Sequence, residues 1–575
     1  MKSFCILTIS SVMMFSSSRA LSTDNPFGIC HPWNGLGELR IGWCRSGAGA
    51  TAFDWGRMAP DRDTLTFKHA EGEYDNWMKP FRIKHVGLLG YTPRWASSAP
   101  EGAQNSGAYP PSDLFDWSDY IERTTKHFAG RIPYYEVWNE QDIGFWKGTC
   151  NEYCELLKSA YLAVKRGDPS AKVVYGGLAG VNLPFLKECY EHGVAGYFDA
   201  MAVHPYQWGD TFNDEWFYRQ IRDLRELMLD NGDDKEIFLT EFGWESKGTQ
   251  ESEDIQARLL MQAILTSLVL REEARVEIVF PFTVRDWGSP SYGLIRDDDT
   301  RKPSWTAYSV LIEKMLGRRC QYRLPIKEPL RGYLFSPGRQ SDPTEFVLAL
   351  FSTDKDIHSL EFDIDSDEVS VTSMLGESQI LKSSEGKLSL SVGPQPVYIQ
   401  GIGAQAIRPA EPIQALDPRS EATRDLPDVW ISLDIPNTSR SLFLRRGVKE
   451  TICLKVSNDS EETQSLRVSM SLSNGALVKP RVMRKAITIE PKTLARLHVP
   501  IRIPSSAALE VSELTVTASV GSRSIPPLNE RVRITDGFAV EFLANSQIEE
   551  EHIVDFGGSC GAPSVRFGGE GWTYL

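Results

Sequence analysis

Residues 134–142 read YYEVWNEQD, and residues 237–244 read IFLTEFGW. In each stretch a β-rich apolar run ends at a glutamate, which is Glu140 in the first and Glu241 in the second. The two glutamates are separated by about 34 residues for each of three strand–helix units, as expected for a (β/α)8 barrel of about 250–290 residues. This spacing assigns the two stretches to strands four and seven of a TIM barrel, the α/β fold that we predict for the catalytic part of the chain.

Strand and helix patterns alternate over residues 27–318, as the barrel requires. Amphipathic helical patterns such as Leu114–Ala129 and Glu253–Glu272 separate short β-rich runs. A doubly wound open sheet is the competing topology, but residues 27–37 lack the glycine-rich phosphate turn that normally follows its first strand. The predicted strands are Phe27–His31, Leu39–Arg45, His85–Gly90, Tyr134–Asn139, Lys172–Gly176, Ala200–His204, Ile237–Glu241 and Val276–Phe282.

After the barrel the pattern changes to short alternating runs without long helices. Residues 319–403 are predicted to form an all-β sandwich module, and residues 429–536 an immunoglobulin-like β-sandwich. Between them, residues 404–428 contain four prolines and mixed charges, which is typical of a flexible linker. Residues 537–575 are left unassigned.

The N-terminus has the features of a secretory signal peptide over residues 1–20. Lys2 supplies a positive charge, Phe4–Phe15 is mostly apolar but too short to cross a bilayer, and Ser18 and Ala20 are small residues at the cleavage-defining positions. A first strand of the fold is the alternative. We therefore predict a secreted or periplasmic protein without a transmembrane segment. The formal net charge of -15 disfavours nucleic acid as a partner.

Nine cysteines occur in the chain, and export would permit disulfides, whose pairing the sequence does not determine. Cys150 and Cys154 have the i, i+4 spacing of helical metal ligands, but no histidine or third cysteine accompanies them nearby in the sequence. We therefore predict no metal site and no cofactor.

Two carboxylates at the carboxyl ends of strands four and seven have a recognisable chemistry. Active sites of TIM barrels lie at that face. Hydrolysis of a glycosidic bond with retention of configuration needs two carboxyl groups about 5–5.5 Å apart, one to attack and one to donate a proton. Glu140 and Glu241 are accordingly the predicted catalytic pair. Glu136 alternates onto the same face as Glu140, one layer deeper, and is interpreted as a structural partner.

The sequence resembles clan A glycoside hydrolases, and within the clan most resembles family 39, the β-xylosidases and α-iduronidases. The resemblance covers roughly residues 27–400. One departure is Gln141, where many relatives have proline. The landmarks are Leu89–Ala96, Trp138-Asn139-Glu140, His204-Pro205-Tyr206, Tyr292-Gly293-Leu294 and Lys302-Pro303.

The resemblance implies roles for further residues. Glu140 matches the family acid/base, and Glu241 matches the nucleophile. Arg45 matches the arginine that pairs with the nucleophile, and Asn139 matches the residue that bonds the sugar 2-hydroxyl. His204 and Tyr206 match a strand-six pair that lines the substrate pocket. Trp287 matches the aromatic platform under the cleaved sugar, and Trp95 is expected to form a second wall of the pocket.

The leading hypothesis is a retaining glycosidase, expected to cleave β-linkages of an extracellular oligo- or polysaccharide. The alternative is a catalytically inactive carbohydrate-binding protein on the same scaffold, whose signature would be the loss of either glutamate; both are present. A third hypothesis gives the main role to the C-terminal β modules, as adhesion or docking parts with unknown protein partners. The sequence does not determine the sugar, the linkage, or exo versus endo cleavage.

Overall fold

The structure, a computed structural model, describes residues 25–47, 51–288, 290–416, 425–434, 442–473, 486–509 and 511–535 in full. It also describes the backbone of three short strands between residues 553 and 574. The predicted signal peptide, residues 1–20, lies outside the described residues.

Eight parallel strands form a single sheet in sequential order, β1 to β8. The sheet closes on itself because Phe27, just before β1, bridges Val279 of β8 in parallel. The predicted TIM barrel is therefore confirmed. The second strand is shorter than predicted, since Arg40, within the predicted range, has a left-handed backbone with φ 55° and the strand begins only at Trp43. The strands are β1 Gly28–Cys30, β2 Trp43–Arg45, β3 Lys84–Leu89, β4 Tyr134–Asn139, β5 Lys172–Ala179, β6 Ala200–His204, β7 Glu236–Phe242 and β8 Val276–Pro281.

Helices surround the barrel, and their ends follow the local sequence. Thr149 begins α4 with a capping box, in which its hydroxyl accepts from the Glu152 amide while the Glu152 carboxylate accepts from the Thr149 amide. Among the described residues, no helix combines the length and the apolar character needed to cross a membrane. The helices are α1 Trp55–Met58, α2 Lys68–Glu73, α3 Leu114–His127, α4 Cys150–Gly167, α5 Leu183–Glu191, α6 Asp214–Asp230, α7 Gln250–Ala274 and α8 Pro303–Met315.

A first β module follows the barrel, as predicted. Its main sheet has seven strands in the order β14-β13-β16-β11-β10-β9-β17, and β12 pairs with β15 in a second sheet. It packs on α7, where Gln262 donates to the backbone carbonyls of Ser352 and Pro394. The strands are β9 Arg319–Arg323, β10 Leu330–Ser336, β11 Val347–Ser352, β12 His358–Asp363, β13 Glu368–Ser373, β14 Ser378–Lys382, β15 Lys387–Val392, β16 Val397–Gln400 and β17 Glu411–Pro412.

The segment predicted as a flexible linker, 404–428, begins with ordered structure. A short helix, α9 (Gly403–Ile407), leads into β17, which pairs with β9, and the Leu416 amide then donates to the Glu273 carbonyl at the end of α7. The first part of this segment is therefore not a flexible linker despite its prolines, because its apolar residues Ile413 and Leu416 pack onto the barrel core.

A second β module consists of a three-stranded and a five-stranded sheet, and three short strands complete the described chain. The strands are β18 Val429–Leu433, β19 Leu442–Arg445, β20 Lys449–Asn458, β21 Gln464–Leu472, β22 Ile487–Ile489, β23 Thr493–Arg502, β24 Val511–Val520, β25 Arg523–Thr535, β26 Ile553–Asp555, β27 Ser564–Gly568 and β28 Gly571–Tyr574.

This second module docks on the barrel through α4. Trp430 of β18 is fully buried in a cluster with Leu162 and Tyr197 of the barrel. Beside it, the Glu155 carboxylate of α4 accepts from the Ser432 hydroxyl at 2.5 Å and pairs with Lys455 at 3.1 Å. Buried apolar contact and buried polar pairing together bind the module to the barrel wall.

We expect Trp430→Ala to lower the free energy of unfolding by about 3–5 kcal/mol, because it removes a fully buried indole and leaves a cavity at the contact between module and barrel. Trp208→Ala is the matched control, since its side chain is 81% exposed and should change stability by less than about 0.5 kcal/mol. Chemical denaturation followed by fluorescence measures both. Equal stability of the two variants would contradict the docked arrangement.

Candidate active site

The carboxyl ends of β4 and β7 bring Glu140 and Glu241 to the same face of the barrel. Glu241 lies within β7, and Glu140 directly follows β4. Trp138 and Glu140 have positive φ angles of 72° and 48°, which turn the end of the strand sharply. The Glu140 amide donates to the Gly177 carbonyl of β5 at 2.8 Å, so the turn is tied to the neighbouring strand.

A buried guanidinium lies beneath this face. Arg45, the last residue of β2, is fully buried and donates through Nε to Glu136 at 2.6 Å and through Nη1 to Glu241 at 2.6 Å. Its Nη2 donates to Glu136 at 2.9 Å and to the Asn139 side-chain oxygen at 2.8 Å. These four side chains form what we call the Arg45 network. Glu136, which the sequence analysis interpreted as a structural partner one layer below Glu140, is an ion-pair partner of Arg45.

Glu241 is held in its ionised form. Burial alone would raise the pKa of its carboxyl, but the nearby His204 and the Arg45 guanidinium, which also donates a hydrogen bond, outweigh burial and lower that pKa. The Tyr206 hydroxyl donates to Glu241 Oε2 at 3.1 Å. Burial and the charge of Glu241 raise the pKa of Tyr206 well above its ordinary value, so the phenol remains a donor.

Glu140 has a simpler environment. Its Oε1 lies 3.0 Å from His204 Nδ1, and His204 Nε2 lies 3.0 Å from the Thr240 hydroxyl. With a proton on Nδ1 the imidazole donates to Glu140, and its Nε2 can donate to or accept from the Thr240 hydroxyl, which serves in either role. The imidazole is completely buried, whereas the Glu140 side chain is 15% exposed.

One oxygen of Glu140 and one of Glu241 lie within 4.8 Å of each other and of a His204 ring nitrogen. Three such atoms could in principle hold a cation. However, the Arg45 guanidinium contacts Glu241 at 2.6 Å and already places a positive charge at this carboxylate, which disfavours a second cation. The short separation of the carboxylates instead suits a reaction in which both act on one bond.

Glycines on β5 make room for this arrangement. A Cβ atom at Gly177 would lie 2.1 Å from His204 Nε2, and the Gly177 amide donates to Glu136 at 2.9 Å. A Cβ atom at Gly176 would meet the Val137 carbonyl at 2.4 Å. Gln141, the position where many relatives have proline, donates to the Gly176 carbonyl at 2.9 Å and so joins the end of β4 to β5 in another way.

The structure brings six of the eight predicted site residues together: the Arg45 network supplies three, and His204, Tyr206 and Glu140 adjoin it. The two tryptophans have other contacts. Trp95 donates to the Ala59 carbonyl at 2.9 Å and packs edge-on against Trp55. Trp287 is 55% exposed, packs edge-on against Trp33 and lies under the Arg285 guanidinium.

Sequence analysis missed two polar groups at the site. His31 follows β1, and burial lowers the pKa of its imidazole although Glu241 acts in the opposite direction. Tyr91 follows β3 and packs edge-on against Trp138. Within the described part of the chain, neither His31 Nε2 nor the Tyr91 hydroxyl has a hydrogen-bond partner, although both are buried. Their positions after barrel strands were a signal that could have identified them.

We expect Gly177→Ala to destabilise the protein by about 1–3 kcal/mol, because the new methyl group would collide with the buried His204 ring and displace it from Glu140. Gly144→Ala is the matched control, since a Cβ atom there meets nothing within 4 Å. Thermal unfolding of both variants measures the difference. A neutral Gly177→Ala would show that β5 does not constrain the histidine.

Parts of the chain are similar to known glycoside hydrolases. Residues 149–302 match the family described as Glycosyl hydrolase catalytic core. This segment contains His204 and Glu241 and ends before the first β module. Over 250 residues the chain is 26% identical to a β-xylosidase from Caldicellulosiruptor saccharolyticus. The match covers 38% of this chain and 50% of the β-xylosidase, so the chain spans about half the length of that relative.

Among solved structures, the fold is similar to that of a family 39 glycoside hydrolase from the gut symbiont Bacteroides cellulosilyticus WH2. The TM-score is 0.56 at 18% sequence identity, and the match covers 66% of this chain and 81% of the other. At this identity the likeness is one of fold. The matched catalytic core and the β-xylosidase relative confirm the predicted resemblance of the chain to glycoside hydrolases, and its fold is similar to that of the family 39 enzyme.

Proposed function

We propose that the chain is a retaining glycoside hydrolase in which Glu241 is the nucleophile and Glu140 is the acid/base. The observation that carries the proposal is that one oxygen of Glu140 and one of Glu241 lie within 4.8 Å of each other, with Glu241 bound to a buried arginine. A retaining enzyme holds its two carboxyl groups about 5–5.5 Å apart, whereas an inverting enzyme needs about 6.5–9.5 Å to admit water between them. The short separation supports retention.

The environments of the two glutamates differ, and the difference assigns their roles. Glu241 accepts hydrogen bonds from Arg45 and Tyr206, and its pKa is lowered, so it is the group suited to attack as a carboxylate. Among the described residues, the Glu140 side chain has His204 as its hydrogen-bond partner and is 15% exposed, so it can exchange protons with the leaving group and with water.

In the first step, Glu241 Oε attacks the anomeric carbon as the bond to the leaving oxygen breaks, and Glu140 gives its proton to that oxygen. In the second step, Glu140 takes a proton from water as the water oxygen attacks the anomeric carbon and releases Glu241. Asn139, oriented by its bond from Arg45, is placed to bind the sugar 2-hydroxyl, where hydrogen bonds strengthen as positive charge develops on the ring.

The substrate that we propose is an extracellular oligo- or polysaccharide with β-linkages. The β-xylosidase relative makes aryl β-xylosides the first substrates to test. The Trp287 side chain, which is 55% exposed, offers a stacking surface for a sugar ring. We also propose that the protein is secreted, because residues 1–20 have the features of a signal peptide.

We expect Glu140→Ala to lower kcat/KM by about 100- to 10,000-fold on substrates with poor leaving groups, and much less on aryl glycosides with excellent ones, because only the former need a proton. Added azide should restore turnover and yield a glycosyl azide of retained configuration, identified by NMR. Glu226→Ala, an exposed residue of α6, is the control and should behave as the wild type.

Equal losses on all leaving groups without azide rescue would remove Glu140 from this role. A wild-type protein that binds carbohydrate but hydrolyses none of a panel of aryl glycosides and polysaccharides would favour the inactive binding protein instead.

We expect Tyr206→Phe to shift the acid limb of the pH dependence of kcat/KM to higher pH. The hydroxyl stabilises ionised Glu241, so its removal raises the pKa of that carboxyl. In the wild type, folding lowers the pKa of the Glu241 carboxyl. Ionisation of Glu241 therefore stabilises the folded state at pH values above the pKa of the unfolded state, and this stabilisation is lost as the pH falls through the pKa of the folded state. Tyr292→Phe, which removes the phenol packed against Tyr206, is the control. An acid limb of Tyr206→Phe that coincides with that of the wild type would contradict the assignment of Glu241 as the ionised nucleophile.

A further inference from the structure

Three cysteines, two from α4 and one from α5, meet on the outer wall of the barrel. Cys150 and Cys154 lie one turn apart at the start of α4, and Cys189 lies in α5. All three are buried, and their sulfur atoms lie within 4.8 Å of one another. Cys150 Sγ and Cys189 Sγ are 3.2 Å apart and are not bonded to each other. We call these residues the thiol cluster.

A histidine borders the thiol cluster. His192, directly after α5, places a ring nitrogen within 4.8 Å of Cys150 Sγ and of a Glu188 oxygen. Cys150 and Cys154 are four residues apart on one face of α4, and His192 ends α5 three residues after Cys189. The sequence expectation of no metal site considered only neighbours of Cys150 and Cys154 along the chain, whereas the fold supplies Cys189 and His192 across space.

The number and kind of these groups match a structural zinc site. Zinc in such sites is tetrahedral and is commonly bound by three cysteines and one histidine, at about 2.3 Å to sulfur and about 2.0 Å to nitrogen. Tetrahedral ligands at these lengths place sulfur atoms about 3.8 Å apart. The observed separation of Cys150 and Cys189, 3.2 Å, needs an increase of only about half an ångström.

The surroundings compensate the charge that such a site would have. Three thiolates and one zinc ion carry a net charge of about -1. The Lys158 ammonium is buried next to the thiol cluster and donates to the carbonyls of His192 at 2.6 Å and Ile431 at 3.0 Å. Cys150 is the first residue of α4, where the helix dipole favours negative charge. The Tyr175 hydroxyl donates to Cys189 Sγ at 3.2 Å and orients that sulfur.

We propose that Cys150, Cys154, Cys189 and His192 bind one structural Zn²⁺ ion that joins α4 to α5 beneath the second β module. Lys158 connects the two features, because its ammonium contacts the His192 carbonyl and the β18 carbonyl of Ile431. The proposed ion is separate from the carboxylates of the active site, and its role is to stabilise the wall of the barrel on which the second module docks.

The test is the zinc content of the full chain, purified after expression with added zinc and measured by mass spectrometry of the metal. We expect about one zinc per chain in the wild type and almost none in Cys154→Ser. Cys320→Ser, which alters a buried cysteine of β9 outside the thiol cluster, is the matched control and should retain its zinc. Loss of zinc in this control to the same extent as in Cys154→Ser would overturn the proposal.

A measurement on the wild type covers the case in which Cys154→Ser fails to fold. Replacement of zinc by Co²⁺ should produce the visible bands of a tetrahedral cobalt site and an ultraviolet thiolate-to-cobalt band, and both should be lost on chelation. Alkylation should label the three cluster cysteines only after the metal is removed. Wild-type protein without zinc or a cobalt–thiolate band, or with a Cys150–Cys189 disulfide in its peptide map, would contradict the proposal.

Discussion

The ion pairs of Arg45 are the interaction on which the active face of the barrel depends. A guanidinium with no exposed surface is tolerated in a protein interior only if every charge near it is paired and hydrogen-bonded. Arg45 meets this condition by binding Glu136, Glu241 and Asn139 from three sides. Removal of one partner from a fully buried pair costs about 3–5 kcal/mol, so the side chains at the ends of β2, β4 and β7 constrain one another.

This constraint explains features that otherwise look unrelated. Gly177 has no side chain because His204 occupies the space that a Cβ atom would need, and the Gly177 amide donates a further hydrogen bond to Glu136 Oε1, which also accepts from Arg45. Tyr206 adds a donor to Glu241 but none to Glu140, which keeps the two carboxylates in different electrostatic environments. Two chemically identical side chains can then perform opposite tasks, one as a carboxylate and the other as a proton carrier.

Much of this site could be predicted from the sequence because it depends on short-range rules. A β-rich run that ends in a glutamate places the side chain at a barrel mouth, and this rule located Glu140 and Glu241, whereas the role of Arg45 was implied by the family resemblance. Contacts made by loops were harder to predict from the sequence. Trp95 lies against Trp55 and Ala59, and nothing in its local sequence distinguishes this packing from a sugar-binding wall. The thiol cluster and the docking of Trp430 depend on residues tens to hundreds of positions apart, which periodicity does not reveal.

The central claim is that Glu241, kept ionised by Arg45, bonds covalently to the sugar. A 2-deoxy-2-fluoro glycoside with a good leaving group tests it most directly, because fluorine at C2 destabilises the positive charge of both transition states and an activated leaving group restores only the first step. Mass spectrometry of the inactivated, digested enzyme should locate the fluoro-sugar on the peptide that contains Thr240, Glu241 and Phe242. A label on another carboxylate, or a product of inverted anomeric configuration, would contradict the account.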